Sequence, residues 1–456
     1  MFSDAEFMPF TPRTKPSYRA AARNFLENYP PAAYRDRFFT SFPGVWPIVK
    51  PNHFLTDPEL IEEMLVSRAE EFRRDDMTAQ ALAGAINRDA IFFAEGAEWK
   101  WRHRALAPAF RHENIMALVP IFADCAEAQS KIWRSAPAGA QVDVMAAASE
   151  TTFSVIERAV LGAAGKIDHE KFFRALSPAL ESVGWRRMIA LFRLPEGTPF
   201  PGYFKALAAA RYLRDETVRL LEERRAQRDN GAARKTILDL LLSARDPDSG
   251  RAMTDAELVA NLYGFMLAGH ETSAVGLGWA LWLLAKDQAS QARLRAEVRE
   301  VAGDAPIGPQ TIEKLAFTRR VVQEALRLFP PAAAIGRQPR ADLTLGAHKL
   351  SRKEPIYVNI WCLHRHEKLW DNANSFDPDR FLPERSQGRH RYAWLPFGAG
   401  PRICIGMSFA MQEMTAILAT LTRDWRLTTV PGHRLALQPS LTTRPKGGLP
   451  LLIEPA

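Results

Sequence analysis

The sequence predicts a mainly α-helical single domain with a small β region. Apolar residues recur at three- and four-residue spacing over 115–161 and 169–228, the period of an amphipathic helix. Strand signals, by contrast, are short and scattered, at 43–49, 343–350, 356–360 and 434–453. No linker or internal repeat divides the 456 residues, so one domain is expected over 45–456 behind an N-terminal extension, 1–44.

Composition narrows the class. Three cysteines, Cys125, Cys362 and Cys404, are too few for a disulfide framework and point to a reducing, cytoplasmic compartment. The first residues lack the basic and apolar regions of a secretory signal. A net charge of +8 could draw nucleic acid, but acidic residues are interleaved throughout and no nucleic-acid module is recognisable. The apolar stretch 258–285 is long enough to span a membrane, yet Asn261, His270, Glu271, Thr272 and Ser273 sit near its middle. A carboxylate there is costly in lipid, so the stretch reads as a buried helix of a soluble protein without a transmembrane anchor.

Taken in order, 1–51 reads as loops with short helices. Asp57, Pro58 and Glu59 open a helix over 57–65 as N-cap, first-turn proline and early acid. After a stretch of mixed character, 75–93, a helix begins at Gly96, in which Trp99 and His103 lie four apart and share a face. Five Pro and Gly residues within 185–203 mark a loop between two helices, and 229–231 and 246–250 read as turns. Thr254 and Glu257 form a capping box for the longest helix, to about residue 285. In its centre Gly269 costs about 1 kcal/mol relative to Ala, which makes sense if something approaches the backbone there. Glu271 and Thr272 are suited to relaying protons in an apolar setting; the plainer alternative is a Thr272 hydroxyl bonded back to its own helix. Glu324 and Arg327 can pair on a helix that Pro330 and Pro331 stop.

The densest signal is the run Phe397-Gly398-Ala399-Gly400-Pro401-Arg402-Ile403-Cys404-Ile405-Gly406. Three glycines and a proline shape a tight loop, and a helix former follows. Cys404 then stands before a helix N-terminus, where backbone N–H groups favour a thiolate. With Arg402 two residues away, the loop suits a large anionic metal cofactor; a lone cysteine would otherwise read as a small buried hydrophobe.

The pattern Phe-x-x-Gly-x-Arg-x-Cys-x-Gly resembles the cysteine-ligand signature of the cytochrome P450 monooxygenases, and the likeness extends from about residue 45 to the C-terminus. A soluble, bacterial-type member with the triangular helical fold is implied. So is haem b with Cys404 as its iron ligand, Phe397 against the sulfur, and Gly398 and Gly406 giving the haem room. Trp99, Arg337 and Arg402 would bind haem propionates, with His103 where the family usually has Arg. Ala268–Thr272 resembles the family's oxygen-activation site, with Thr272 at the haem and Glu271 on the proton path. Glu324, Arg327 and Arg380 would form its structural triad, and 185–203 the roof of the substrate channel.

The implied activity is insertion of one oxygen atom into a small apolar substrate, a fatty acid, terpenoid or aromatic compound, by a monomer. Phe92, Phe93, Phe265, Leu267, Ala268 and 332–335 are the expected pocket. Electrons would come from a ferredoxin- or flavodoxin-type partner, steered by Arg102, Arg104 and Arg402. Two alternatives are a hydroperoxide-using peroxygenase or isomerase, against which the acid–threonine pair weighs, and a haem-based binding protein without turnover.

Overall fold

Asp57 opens the first helix, accepting from the N–H groups of Glu59 and Leu60. The computed structural model describes residues 39–42, 51–137, 139–162, 167–192, 194–229, 236–438 and 441–456. The expected strand at 43–49 lies outside these residues, as does the turn at 230–231.

Helix α1 (Pro58–Glu62) runs straight into a π turn, Glu63–Ser67. Then come α2 (Asp76–Leu82), α3 (Gly96–Leu106), α4 (Val119–Arg134) and α5 (Val144–Val155), the last extended by a second π turn, Ile156–Val160. Helix α6 (His169–Leu191) absorbs Pro178 and continues past Trp185. The loop expected over 185–203 therefore begins only after the helix ends, where the breakers start at Pro195. Helix α7 (Tyr203–Asp229) follows it.

The capping box at Thr254 forms as expected, its hydroxyl receiving the Glu257 N–H and its own N–H donating to Glu257 Oε2 at 2.9 Å. It starts α8 (Asp255–Lys286), buried along most of its length and packed against α5. Helices α9 (Gln288–Ala302), α10 (Ala316–Leu328) and α11 (Met407–Asp424) complete the main helical layer. Helices α8 and α11 cross closely: a side chain at Gly276 would stand 2.7 Å from Met414 Sδ.

The β region is small, as predicted. A five-stranded sheet runs in the order β1 (Phe39–Phe42), β2 (Asn52–Leu55), β8 (Ile356–Asn359), β5 (Ala334–Pro339) and β3 (Phe72–Arg73). A three-stranded sheet joins β4 (Gln141–Asp143), β12 (Pro450–Pro455) and β9 (Trp425–Thr429). Hairpins β6 (Leu343–Leu345)/β7 (His348–Leu350) and β10 (Leu437–Gln438)/β11 (Arg444–Pro445) stand beside them. One large core lies among the helices, and a second, smaller core under the five-stranded sheet. No described helix is long and apolar enough to cross a membrane.

Candidate functional site

The cysteine loop is a locked turn. Gly400 adopts φ +68°, and a Cβ there would lie 1.9 Å from the Leu65 carbonyl oxygen, so only glycine fits. The Cys404 N–H donates to the Phe397 carbonyl at 2.9 Å, which closes the loop, and Gly406 caps α11. Cys404 is itself exposed, although α11 runs through the core. Its thiol is pushed up by burial among its protein neighbours, with only a partial offset from the Gly406 N–H. A metal cation at the sulfur would favour the thiolate.

A second wall comes from α8. Ala268 is exposed in the middle of an otherwise buried helix, and Gly264, Phe265 and Thr272 on the same face are half-buried. Leu267, expected in the pocket, is buried in the core instead. Gly269 has a packing reason: a Cβ there would sit 2.9 Å from Ile156 Cδ1, at the second π turn.

Thr272 donates its hydroxyl to the Ala268 carbonyl at 2.6 Å, leaving its oxygen lone pairs on the open face. Glu271 turns away, about 100° around the helix. Arg444 holds it in a two-point grip from one guanidinium edge, Nε to Oε1 at 2.6 Å and Nη2 to Oε2. The Thr442 hydroxyl donates to the same Oε1 at 2.7 Å. The acid assigned to the proton path is therefore fully engaged by the C-terminal hairpin region.

One edge of the site is cationic. The Arg402 guanidinium lies 4.4 Å over the Trp99 ring, and Trp99 packs on His103 with centroids 4.9 Å apart. Arg402 also approaches Glu95 at 3.8 Å. Arg337 on β5 donates to the Gly336 carbonyl at 2.9 Å. The sequence reading missed Arg74, whose guanidinium stacks 3.5 Å over Phe92. Its Nε is buried with no hydrogen-bond partner among the described residues. Burial, then mutual repulsion with Arg337 and Arg402, pushes Arg74 down to about 9. Burial likewise pushes Arg402 down to about 10 and lowers Arg337, while Glu95 opposes both shifts. Burial and then Arg402 lower His103. Three strained guanidinium groups and one orphaned N–H fit a ligand edge that carries carboxylates. An exposed cysteine beyond that edge supplies the soft donor for a metal, so the residues fit haem b.

Behind the loop, Glu324 receives Arg327 Nε at 2.7 Å and Arg380 Nε at 2.9 Å, all three side chains being buried. Arg327 also donates to the carbonyls of His364, Ala373 and Ser375. So complete a set of partners offsets the cost of burying the charges.

Arg102 and Arg104 are not a free basic patch. Arg102 reaches Glu257 at 3.1 Å, and Arg104 holds Asp246 at 2.8 Å and Asp248 at 3.3 Å. Both are paired with acids at the start of α8 and in the turn before it.

Comparison with known proteins places the chain in a family and agrees with the fold. The family model described as cytochrome P450 matches residues 32–450. Cyclooctatin synthase of Streptomyces melanosporofaciens is 31% identical over 90% of this chain and 87% of its own. Cyclooctat-9-en-7-ol 5-monooxygenase of the same organism is 30% identical over 87% of this chain and 84% of its own. The human ultra-long-chain fatty acid omega-hydroxylase is 29% identical over 89% and 80%. In structure, the haem domain of cytochrome P450DA superposes with a TM-score of 0.78 over 92% of this chain and 90% of that one, at 23% identity.

Proposed function

The chain belongs to the cytochrome P450 family and is a haem-dependent monooxygenase, and we propose that it inserts one atom of O2 into an apolar substrate, with electrons from a separate ferredoxin- or flavodoxin-type protein. Haem b, when bound, supplies the iron that activates dioxygen, tuned by its thiolate ligand. Cys404 is assigned as that ligand, and Phe397 and Gly406 shape its loop. Trp99, His103, Arg337 and Arg402 are assigned to the propionate edge, together with Arg74.

The observation that carries this reading is the loop itself, an exposed cysteine on a turn that Gly400 and the Phe397 carbonyl hold rigid. Thr272 is assigned to hold a hydroxyl at the reacting face and set the order in which protons arrive. None of the three cysteines is in a disulfide, which supports a reducing, cytoplasmic compartment. Cys125 and Cys362 are buried apart from the loop and cannot complete an iron–sulfur set, so the electrons are assigned to a partner protein.

The names of the relatives range from a cyclooctatin synthase to a fatty acid hydroxylase, and both kinds of substrate are apolar. Here the face of α8 presents Ala268, and Ala332, Ala333 and Ala334 are at least partly open. Such small side chains leave room for a bulky, rigid skeleton, which favours a terpenoid over a fatty acid or flat aromatic compound.

Cys404→Ser should lose the red-shifted Soret band of the reduced carbon monoxide complex, while Cys125→Ser and Cys362→Ser keep it. Retention of the band in Cys404→Ser would overturn the ligand assignment. Titration with terpenoids, fatty acids and aromatic compounds, read as shifts in haem spin state, tests the substrate class.

A further inference from the structure

Glu95 stands at the N-cap position of α3, yet its side chain makes no capping bond to that helix. A polar side chain there ordinarily accepts from the first N–H groups of its own helix. The Glu95 carboxylate is turned to three other segments instead. Its Oε1 accepts the Arg74 N–H at 3.3 Å, just beyond β3. Its Oε2 accepts Nη2 of Arg340, just beyond β5. Oε1 also lies 3.8 Å from Arg402 Nη2 in the cysteine loop.

Each of these segments carries a residue assigned to the haem edge, namely Arg74, Arg337 and Arg402, and α3 carries Trp99 and His103. Four stretches far apart in sequence thus meet at one carboxylate. Arg340 is itself fixed, its N–H on the Glu71 carbonyl at 2.9 Å and its Nε on the Glu70 carbonyl at 3.1 Å. Among the described residues, Glu95 is the acid whose charge acts on Arg74, Arg337 and Arg402 alike. Asp75 acts on the first two only, and its carboxylate is turned to the Thr78 N–H and the Tyr357 hydroxyl.

We propose that Glu95 is the counter-ion of the haem edge and that its negative charge holds down the reduction potential of the bound haem. Reduction by the partner protein adds one electron, and so one negative charge, to the cofactor. A carboxylate among the guanidinium groups at its edge opposes that added charge. Glu95 thereby sets how strong a reductant the partner must be. It acts through Arg74, Arg340 and Arg402, as a positioning residue. The inference rests on the haem–thiolate reading above, and its test has a readout that needs no turnover.

That readout is the midpoint potential of the haem-loaded protein, followed by its absorption spectrum during a redox titration. Glu95→Gln keeps an oxygen that can accept from Arg74 or Arg340 and removes the charge. It should favour the reduced form about tenfold, an upward shift of about 59 mV for one electron. Glu95→Asp keeps the charge and should stay close to the unaltered protein. Arg340→Gln removes the opposite charge from the same pair, so its potential should fall; it serves alone if Glu95→Gln does not fold. Opposite signs mark an effect of charge, whereas a loosened edge would move both variants the same way. The Glu95 side chain is half-exposed, so the shift in Glu95→Gln should shrink at high ionic strength. An unchanged potential in Glu95→Gln, an equal shift in Glu95→Asp, or a rise in Arg340→Gln would overturn the proposal. The red-shifted band of the reduced carbon monoxide complex reads Cys404 alone, so it distinguishes failure of this inference from failure of the haem–thiolate reading.

Discussion

Gly269 offers a test of why the middle of α8 is built as it is. A methyl group there would stand 2.9 Å from Ile156 Cδ1, whereas carbon atoms prefer about 3.5–4.0 Å. Overpacking of this kind costs about 1–3 kcal/mol. Replacing glycine by alanine in a helix interior returns about 1 kcal/mol. Gly269→Ala should therefore be neutral to about 2 kcal/mol destabilising.

Ile156→Val removes Cδ1, after which the nearest atom is Cγ1 at 3.9 Å, an ordinary contact. In that background the same Gly269→Ala should stabilise by about 1 kcal/mol. Ile156→Val alone should cost about 0.5–1.5 kcal/mol. The two sites touch, so a coupling of about 1–3 kcal/mol is expected from the four proteins. Urea midpoints of the haem-free and haem-loaded forms, followed by circular dichroism, measure it. Equal effects of Gly269→Ala in both backgrounds would refute the packing account. The close approach of a bound molecule, which the sequence alone suggested, would then be the better reason for the glycine.

Arg74→Ala should weaken haem retention by roughly tenfold or more, the worth of about one charged hydrogen bond; haem transfer to a scavenger protein reads it, and an unchanged transfer rate counts against Arg74 at the propionate edge. Thr272→Ala should keep the fold and substrate affinity, because among the described residues its hydroxyl bonds only to its own helix. Its product yield per reducing equivalent should fall while peroxide rises, and a fully coupled Thr272→Ala would sink the assignment.

What the sequence made legible was local. The Cys404 loop, the capping box at Thr254 and the Asp57 cap all lie within a few residues of the partners that define them. The Glu324 triad was legible only through family likeness, since several other Glu/Arg pairs have the same spacing. Illegible features were those made by distant partners. Nothing near Arg444 announces that it holds Glu271, or that Thr442 donates to the same carboxylate. Arg74 looks like its neighbour Arg73, yet Arg73 pairs with Asp76 while Arg74 turns onto Phe92. Arg102 and Arg104 read as surface charge because their acids come from the turn and helix start around 246–257. The breakers around Pro195 make all of 185–203 look like loop, yet the residues before them continue α6 to Leu191.

The contact between Gly400 and Leu65 also bears on the order of assembly. Leu65 belongs to the first π turn, near the start of the chain, and Ala399 and Leu395 beside Gly400 share its smaller core. The cysteine turn closes on local bonds, but its packing against Leu65 is complete only once the opening and closing parts of the polypeptide have met. Pairings so far apart in sequence form slowly, because the intervening chain must first be closed into a loop. During synthesis the early segment emerges and waits, its apolar side uncovered, until the last part of the chain arrives. Cofactor capture is thus a late event in the life of each molecule, and a chain truncated before Phe397 carries no part of the turn that would anchor it.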